Sequence, residues 1–255
     1  MRVIVIAAGR GRRLMPTTAD APKCFAEVAG RRLIDWTIDA FATNGLTDIC
    51  FIGGYQIDKV KAAYPHFMFR ENANWEQNNI LASLMCAEDL MSGPFICCYS
   101  DILFTADIVG RMAESKDDLV LGVDTEWMHR YEDRTDHPPD DAEKVIANGP
   151  RVTRIHRNIP PADAHGEYIG VAKFSAAGAA RLREQYHRCR KHFAGRPWRE
   201  ATVFEKAYLI LLFQEMIERG ERFTHIDTPG GYIEVDTQQD FEYARQHWVT
   251  RHKDR

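Results

Sequence analysis

The stretch that decides the fold is Met1–Lys23, MRVIVIAAGRGRRLMPTTADAPK. Its apolar run, Val3-Ile4-Val5-Ile6, is short and β-branched and gives way to glycine, the pattern of a buried β-strand. The run stops at Ala7-Ala8-Gly9-Arg10-Gly11-Arg12-Arg13. Glycine lets a backbone approach a ligand closely and present its N–H groups. Arg10, Arg12 and Arg13 place positive charge beside those donors. Strand, glycine turn and basic side chains together describe a cradle for phosphates. The turn is not a P-loop, because G-x-x-x-x-G-K-[ST] occurs nowhere in the chain. Nor is it the dinucleotide fingerprint: G-x-G-x-x-G from Gly9 needs a third glycine where Leu14 stands.

The 255 residues give room for one large domain, and the chain is read as a single domain over 1–255. A composition of 45% hydrophobic and 27% charged residues is that of an ordinary globular protein. A net charge of -4 argues against a general nucleic-acid binder, which would carry a basic excess. The six cysteines form no C-x-x-C pair and no zinc spacing, so a reduced, cytoplasmic protein is expected. Cys97 and Cys98 lie in an apolar run and read as small packing residues. The N-terminal apolar run is too short for a signal peptide, and no stretch approaches the roughly 20 apolar residues of a membrane helix.

Strand and helix patterns alternate after the opening strand. Helices are expected over 33–44, 57–64, 80–91 and 107–114, and strands over 47–52, 66–70, 94–99 and 118–123. Such alternation implies a parallel sheet with helices on both faces, whose ligands bind beyond the carboxyl ends of the strands. Gly9, Gly53 and Asp101 fall at such ends. Residues 124–150 are polar and barely periodic. Strands are then expected over 151–156, 166–174, 222–227 and 231–235, with helices over 176–192, 204–219 and 240–250.

Three positions carry chemistry. Lys23 follows Pro22, one loop beyond the glycine turn, and can reach a phosphate bound there; by itself it reads as a solvated lysine. Asp101 ends the run Phe95–Tyr99 and suits Mg²⁺, a hard ion that takes one or two carboxylates plus substrate phosphates. A turn or helix-capping aspartate is the plainer reading. Glu234 and Asp236 point to one side of a strand, which suits either a metal or a solvated edge, and Asp236 is also placed to cap the helix after it. There is no H-E-x-x-H and no G-x-S-x-G, and Ser100 has no evident histidine partner.

These residues resemble the nucleotidyltransferases that join an NTP to a phosphorylated acceptor. The likeness rests on Val5–Leu14, Pro16-Thr17-Thr18 and Pro22-Lys23, then on Tyr99-Ser100-Asp101 and Tyr232–Asp240, in the family's order. The segment Asn78–Leu84 is similar to one in the cytidylyltransferases that activate phosphocholine, phosphonates or phosphoglutamine, and Asp141-Ala142-Glu143-Lys144 resembles the latter two. Sugar-phosphate members commonly carry Gly-Asp where this chain has Ser100-Asp101.

The resemblance implies a Rossmann-like α/β fold of the nucleotide-diphospho-sugar transferase type, with a mixed, mostly parallel sheet and helices on both faces. Residues 1–123 would bind the NTP, and 124–255 would bind the acceptor and carry the second metal motif. The implied partners are CTP or another NTP and a small phosphorylated acceptor, with Mg²⁺ as cofactor; neither nucleic acid nor membrane insertion is implied, and a homo-oligomer is allowed. Asp101 and Asp236 would hold the metal. Lys23 and Arg13 would be catalytic, with Gly11, Arg12 and Arg13 on the β- and γ-phosphates. Ala7, Ala8 and Gly9 would face base and ribose, joined by Asn79, Ser83 and Tyr99. For the acceptor the candidates are Lys144 on its phosphate, Trp127, Tyr168 and Glu234, with Trp75 and Tyr131 completing an aromatic box and Arg130 and Arg134 suiting an anion. Competing readings are a sugar-1-phosphate uridylyl- or thymidylyltransferase, an inactive nucleotide-binding regulator, and a molybdenum-cofactor nucleotidyltransferase.

Overall fold

The opening apolar run is β1, Arg2–Ala7, an interior strand of a nine-stranded sheet in the computed structural model. The structure describes residues 1–132, 134–136 and 138–252, and the side chains of these up to 249. After β1 come the two-residue strands β2 (Glu27–Val28) and β3 (Arg31–Arg32), then α1 (Leu33–Ala42), β4 (Ile49–Gly53), α2 (Ile57–Ala63) and β5 (Met68–Glu71). They lead to α3 (Ile80–Met85), β6 (Phe95–Tyr99), β7 (Ile102–Phe104), α4 (Ala106–Glu114) and β8 (Leu119–Asp124). The remainder comprises β9 (Lys144–Asn148), β10 (Arg151–His156), β11 (Gly166–Phe174), α5 (Ala176–Phe193), α6 (Leu209–Glu218), β12 (Phe223–Asp227), β13 (Tyr232–Glu234) and α7 (Gln238–His252).

The sheet order is β5-β4-β1-β6-β11-β8-β12-β10-β9. Its first four strands are parallel, as the strand–helix alternation requires. β11 then enters antiparallel between β6 and β8, so strands from both halves of the chain share one sheet. Alternation along β1 divides the core. Val3 and Val5 pack with Phe41, Phe51 and Ile108 under α1 and α4, while Ile4 and Ile6 pack with Leu81, Leu182 and Phe213 under α3, α5 and α6. None of the described helices is long and apolar enough to cross a membrane.

Three departures from the sequence reading matter to the site. The helix expected over 80–91 ends at Met85 and continues as three-residue turns, Cys86 N–H to Ser83 O and Leu90 N–H to Ala87 O, which keep Ala87 and Met91 in the core. The helix expected over 204–219 splits into a 3-10 turn, Phe204–Lys206, and α6, with Ala207 and Tyr208 extended between them, and this segment bonds the start of α3: Asn79 N–H donates to Glu205 O and Leu81 N–H to Ala207 O. Strand β9 lies unread inside the polar segment, since a buried lysine at its head masks the alternation; it forms a hairpin with β10 around Gly149.

Candidate active site

A cavity of about 390 Å³ opens at the carboxyl ends of β1 and β6. Ala7, Ala8, Gly9, Gly11, Arg12 and Arg13 line one wall, and Lys23, Asp101 and Asp236 the floor. The glycine turn adopts its shape because Gly11 sits at φ 67°, a left-handed conformation that a Cβ disfavours. A Cβ there would also press on the Lys23 side chain, 2.9 Å from its Cδ. Turn and lysine are therefore packed as one unit.

Lys23 is the centre of the floor. Its ammonium donates to Asp101 Oδ2 at 2.6 Å and to Asp236 Oδ1 at 2.5 Å. Burial favours the neutral amine, yet the two carboxylates outweigh it and hold the Lys23 pKa above the usual lysine range. Arg13 pairs with the other oxygen of Asp236 and lies 3.6 Å from Asp141.

The meeting of Asp101 and Asp236 is built by backbone. β13 pairs antiparallel with β7, Glu234 opposite Ile102, and Val235 N–H donates to Asp101 O at 2.8 Å. At the start of α7, hydrogen bonds join Thr237 and Asp240. Asp240 takes the Thr237 N–H and returns its own to Thr237 Oγ1, a reciprocal cap that leaves the Asp236 carboxylate for Lys23. Glu234 also reaches the cavity, and burial followed by Asp236 and Asp101 drives its carboxyl well above the ordinary glutamate range.

On the opposite wall, Asn79 accepts the Ile80 N–H and caps α3. Ser83 donates to Asn79 O and accepts from Asn72 Nδ2. Both line the cavity through groups that also hold the fold together. The Tyr99 hydroxyl donates to Glu143 Oε2 at 3.1 Å; burial and then that carboxylate raise its pKa well above normal.

The acceptor residues read from the sequence divide. Tyr168 and Glu234 line a recess adjoining the main cavity with Glu143, Arg157, Glu167 and Tyr232. Trp75 lines the main cavity. Lys144 and Trp127 are not brought there. The buried Lys144 ammonium donates to Pro139 O and Ala142 O, and the Trp127 ring packs with Tyr131 and Ala142 in a separate cluster. Arg130 is buried between Asp124 and Glu167, and Arg134 donates to Asp240, so the fold uses both.

The structure adds residues that the sequence reading did not single out. Arg157, just beyond the end of β10, pairs with Glu143 and stacks 3.9 Å above the Tyr208 ring. Asn78, Glu143, Arg157 and Tyr208 all line the cavity. Arg157 carried a readable signal: like Asp101, it is a charged residue within two positions of the end of a strand.

Residues 3–198 match the MobA-like NTP transferase domain. The chain belongs to this family. It is a nucleotidyltransferase, and the glycine turn after β1 falls within the matched residues. Over 252 residues the chain is 28% identical to a CTP:phosphoglutamine cytidylyltransferase of Campylobacter jejuni, covering 95% of this chain and 98% of that protein. Over 141 residues it is 30% identical to a UTP–glucose-1-phosphate uridylyltransferase of Haloferax volcanii, covering 51% of this chain and 58% of the other. The inositol-1-phosphate CTP transferase of T. maritima has the same fold, with a TM-score of 0.73, 21% identity, and coverage of 95% and 94% of the two chains.

Proposed function

We propose that this nucleotidyltransferase transfers CMP from CTP to a small acceptor bearing a phosphate or phosphonate, releasing pyrophosphate. The observation that carries the reading is Lys23, held between Asp101 and Asp236 on the floor of a cavity whose wall is the glycine turn. The near full-length similarity to a phosphoglutamine cytidylyltransferase supports CTP as donor.

The acceptor oxygen attacks the α-phosphorus in line, and the bond to the pyrophosphate oxygen breaks. Such a reaction asks the protein to position charges and offset them. Lys23 faces charge developing on the α-phosphate, while Gly11 N–H, Arg12 and Arg13 receive the β- and γ-phosphates. Asp101 and Asp236 fit Mg²⁺: their oxygens converge within 2.6 Å of one cation, Lys23 Nζ, and two carboxylates suit a hard ion beside phosphates. When bound there, Mg²⁺ would neutralise phosphate charge.

Arg157 lines the cavity while the Lys144 ammonium donates to backbone carbonyls, which supports Arg157 as the cation for the acceptor's phosphate or phosphonate. The adjoining recess, with Glu143, Glu167 and Glu234 beside Tyr168 and Tyr232, suits an ammonium group at the acceptor's far end. Phosphocholine, 2-aminoethylphosphonate and phosphoglutamine all carry such a group.

The test is pyrophosphate release with Mg²⁺, each NTP in turn, and each of these acceptors or glucose-1-phosphate. Turnover confined to CTP with an amine-bearing acceptor is expected. UTP or dTTP with glucose-1-phosphate would instead establish the sugar-nucleotide reading, which the Haloferax relative favours over half the chain. Nucleotide binding with no turnover in any combination would establish the inactive regulator.

A further inference from the structure

Away from the cavity, two histidines and an aspartate meet on the other half of the sheet. His165 immediately precedes β11, and His225 and Asp227 share one face of β12. His165 Nε2 lies 3.0 and 3.2 Å from the two Asp227 oxygens, and His225 Nδ1 lies 2.8 Å from Asp227 Oδ1. One ligating atom from each of the three falls within 4.8 Å of the others. None of the three lines the cavity or its adjoining recess.

The tautomer of His225 is fixed by its other nitrogen. Nε2 lies 3.0 Å from Gly149 O, and a carbonyl oxygen only accepts, so Nε2 carries the proton. In a neutral ring Nδ1 is then a bare lone pair facing a carboxylate oxygen. Two acceptors at that distance need a cation between them, either a proton or a metal ion. A ring N–H donated to a backbone carbonyl is also how metal-binding histidines are oriented. Arg111 donates to the Asp227 backbone oxygen and to the Asp107 carboxylate, which leaves the Asp227 carboxylate to the histidines.

We infer that His165, His225 and Asp227 form a binding site for a divalent transition metal ion of the zinc type. Two imidazole nitrogens and one carboxylate oxygen are borderline donors that suit Zn²⁺ and Co²⁺ better than Mg²⁺. Bonds of about 2.0–2.1 Å in tetrahedral geometry put ligand atoms about 3.3 Å apart, close to the distance of each histidine nitrogen from the Asp227 carboxylate. Side-chain exposure of 32% for His165 and 35% for Asp227 leaves an entry path and room for water as a fourth ligand. Bound metal would tie the start of β11 to β12 and, through His225 and Gly149, to the β9–β10 hairpin.

The test uses the full chain, stripped by chelator and titrated with Co²⁺ alone in millimolar Mg²⁺, which occupies the cavity carboxylates. One equivalent of Co²⁺ is expected to give visible absorption of low-coordinate intensity that Zn²⁺ abolishes. His165→Gln, folded by circular dichroism, is expected to weaken binding at least about tenfold, and His225→Gln likewise. Asp236→Asn, in the cavity, is expected to leave the spectrum unchanged. Absence of the bands in the unaltered chain overturns the inference, because a proton then bridges the triad. Bands that survive in His165→Gln, or vanish in Asp236→Asn, also overturn it.

Discussion

Lys23 and Asp236 lie 213 residues apart in the chain, yet the lysine ammonium donates to the aspartate at 2.5 Å. The same ammonium bonds Asp101, so one cation, packed against the glycine turn, is shared by both acidic motifs.

Lys23→Ala is expected to lower turnover on the order of 10²-fold or more, the usual cost of losing a donor aimed at developing charge. The substitution also leaves Asp101 and Asp236 facing each other without their cation. Thermal melts should therefore show a lower midpoint than the parent, and Mg²⁺ should raise that midpoint more in the variant than in the parent. Near-parental turnover would remove Lys23 from the chemistry.

Gly11→Ala tests the coupling of turn and lysine. Left-handed backbone costs a residue with a Cβ about 1–2 kcal/mol, and the new methyl would press on the Lys23 Cβ, Cγ and Cδ. Loss of turnover larger than the loss of stability in urea unfolding is expected. Equal, small changes would mean that the turn tolerates the methyl group without moving Lys23.

Arg157→Ala is expected to raise the acceptor KM roughly tenfold, the value of about one charge-assisted hydrogen bond, and to leave the CTP KM within twofold or so. Steady-state kinetics with each substrate varied in turn reads both. An effect confined to CTP would place Arg157 on the nucleotide.

Arg130→Met removes the cation shared by buried Asp124 and Glu167. Breaking a buried charge network by deleting one partner costs on the order of 3–5 kcal/mol. Urea unfolding should show a loss of that size. A change below 1 kcal/mol or so would mean that the two carboxylates find protons or other partners.

Burial pushes the thiols of Cys24 and Cys97 up to about 12 and that of Cys50 up to about 11. The unfolded chain therefore releases these protons first, near the ordinary thiol value of 9.0. Their contribution to stability is complete below that pH and declines as pH climbs from there towards the folded values. Native alkylation at pH 8 should be slow at Cys24, Cys97 and Cys98 and faster at the half-buried Cys86. Rapid labelling of Cys97 would contradict its place in the core.

What the residues of Met1–Lys23 determined was local. A β-branched run makes a buried strand, and Gly9 and Gly11 free the backbone that follows it. The 3.6-residue period of α1 and the apolar runs of β4, β6 and β11 likewise placed these elements close to their observed limits, because each is largely buried in the core. Lys144 and Trp127, which line neither the cavity nor its recess, show the opposite case. A cation in a polar stretch looks available in sequence, and only the packed chain shows its ammonium donating to Pro139 and Ala142 carbonyls. Arg157, Tyr208 and Glu143 come from separate elements, so no spacing in the sequence joins them.

The sequence by itself thus determined the strand, the glycine turn and the identity of the charged groups, all properties of neighbours along the chain. Tertiary structure decided which of those charges meet. The pairing of β7 with β13 carries Asp236 to Asp101, and the capping of α7 by Thr237 and Asp240 leaves Asp236 to accept from Lys23. β7 and β13 form a two-stranded sheet of their own, and such pairing between distant segments depends on the burial of whole faces, which is fixed only when the chain packs.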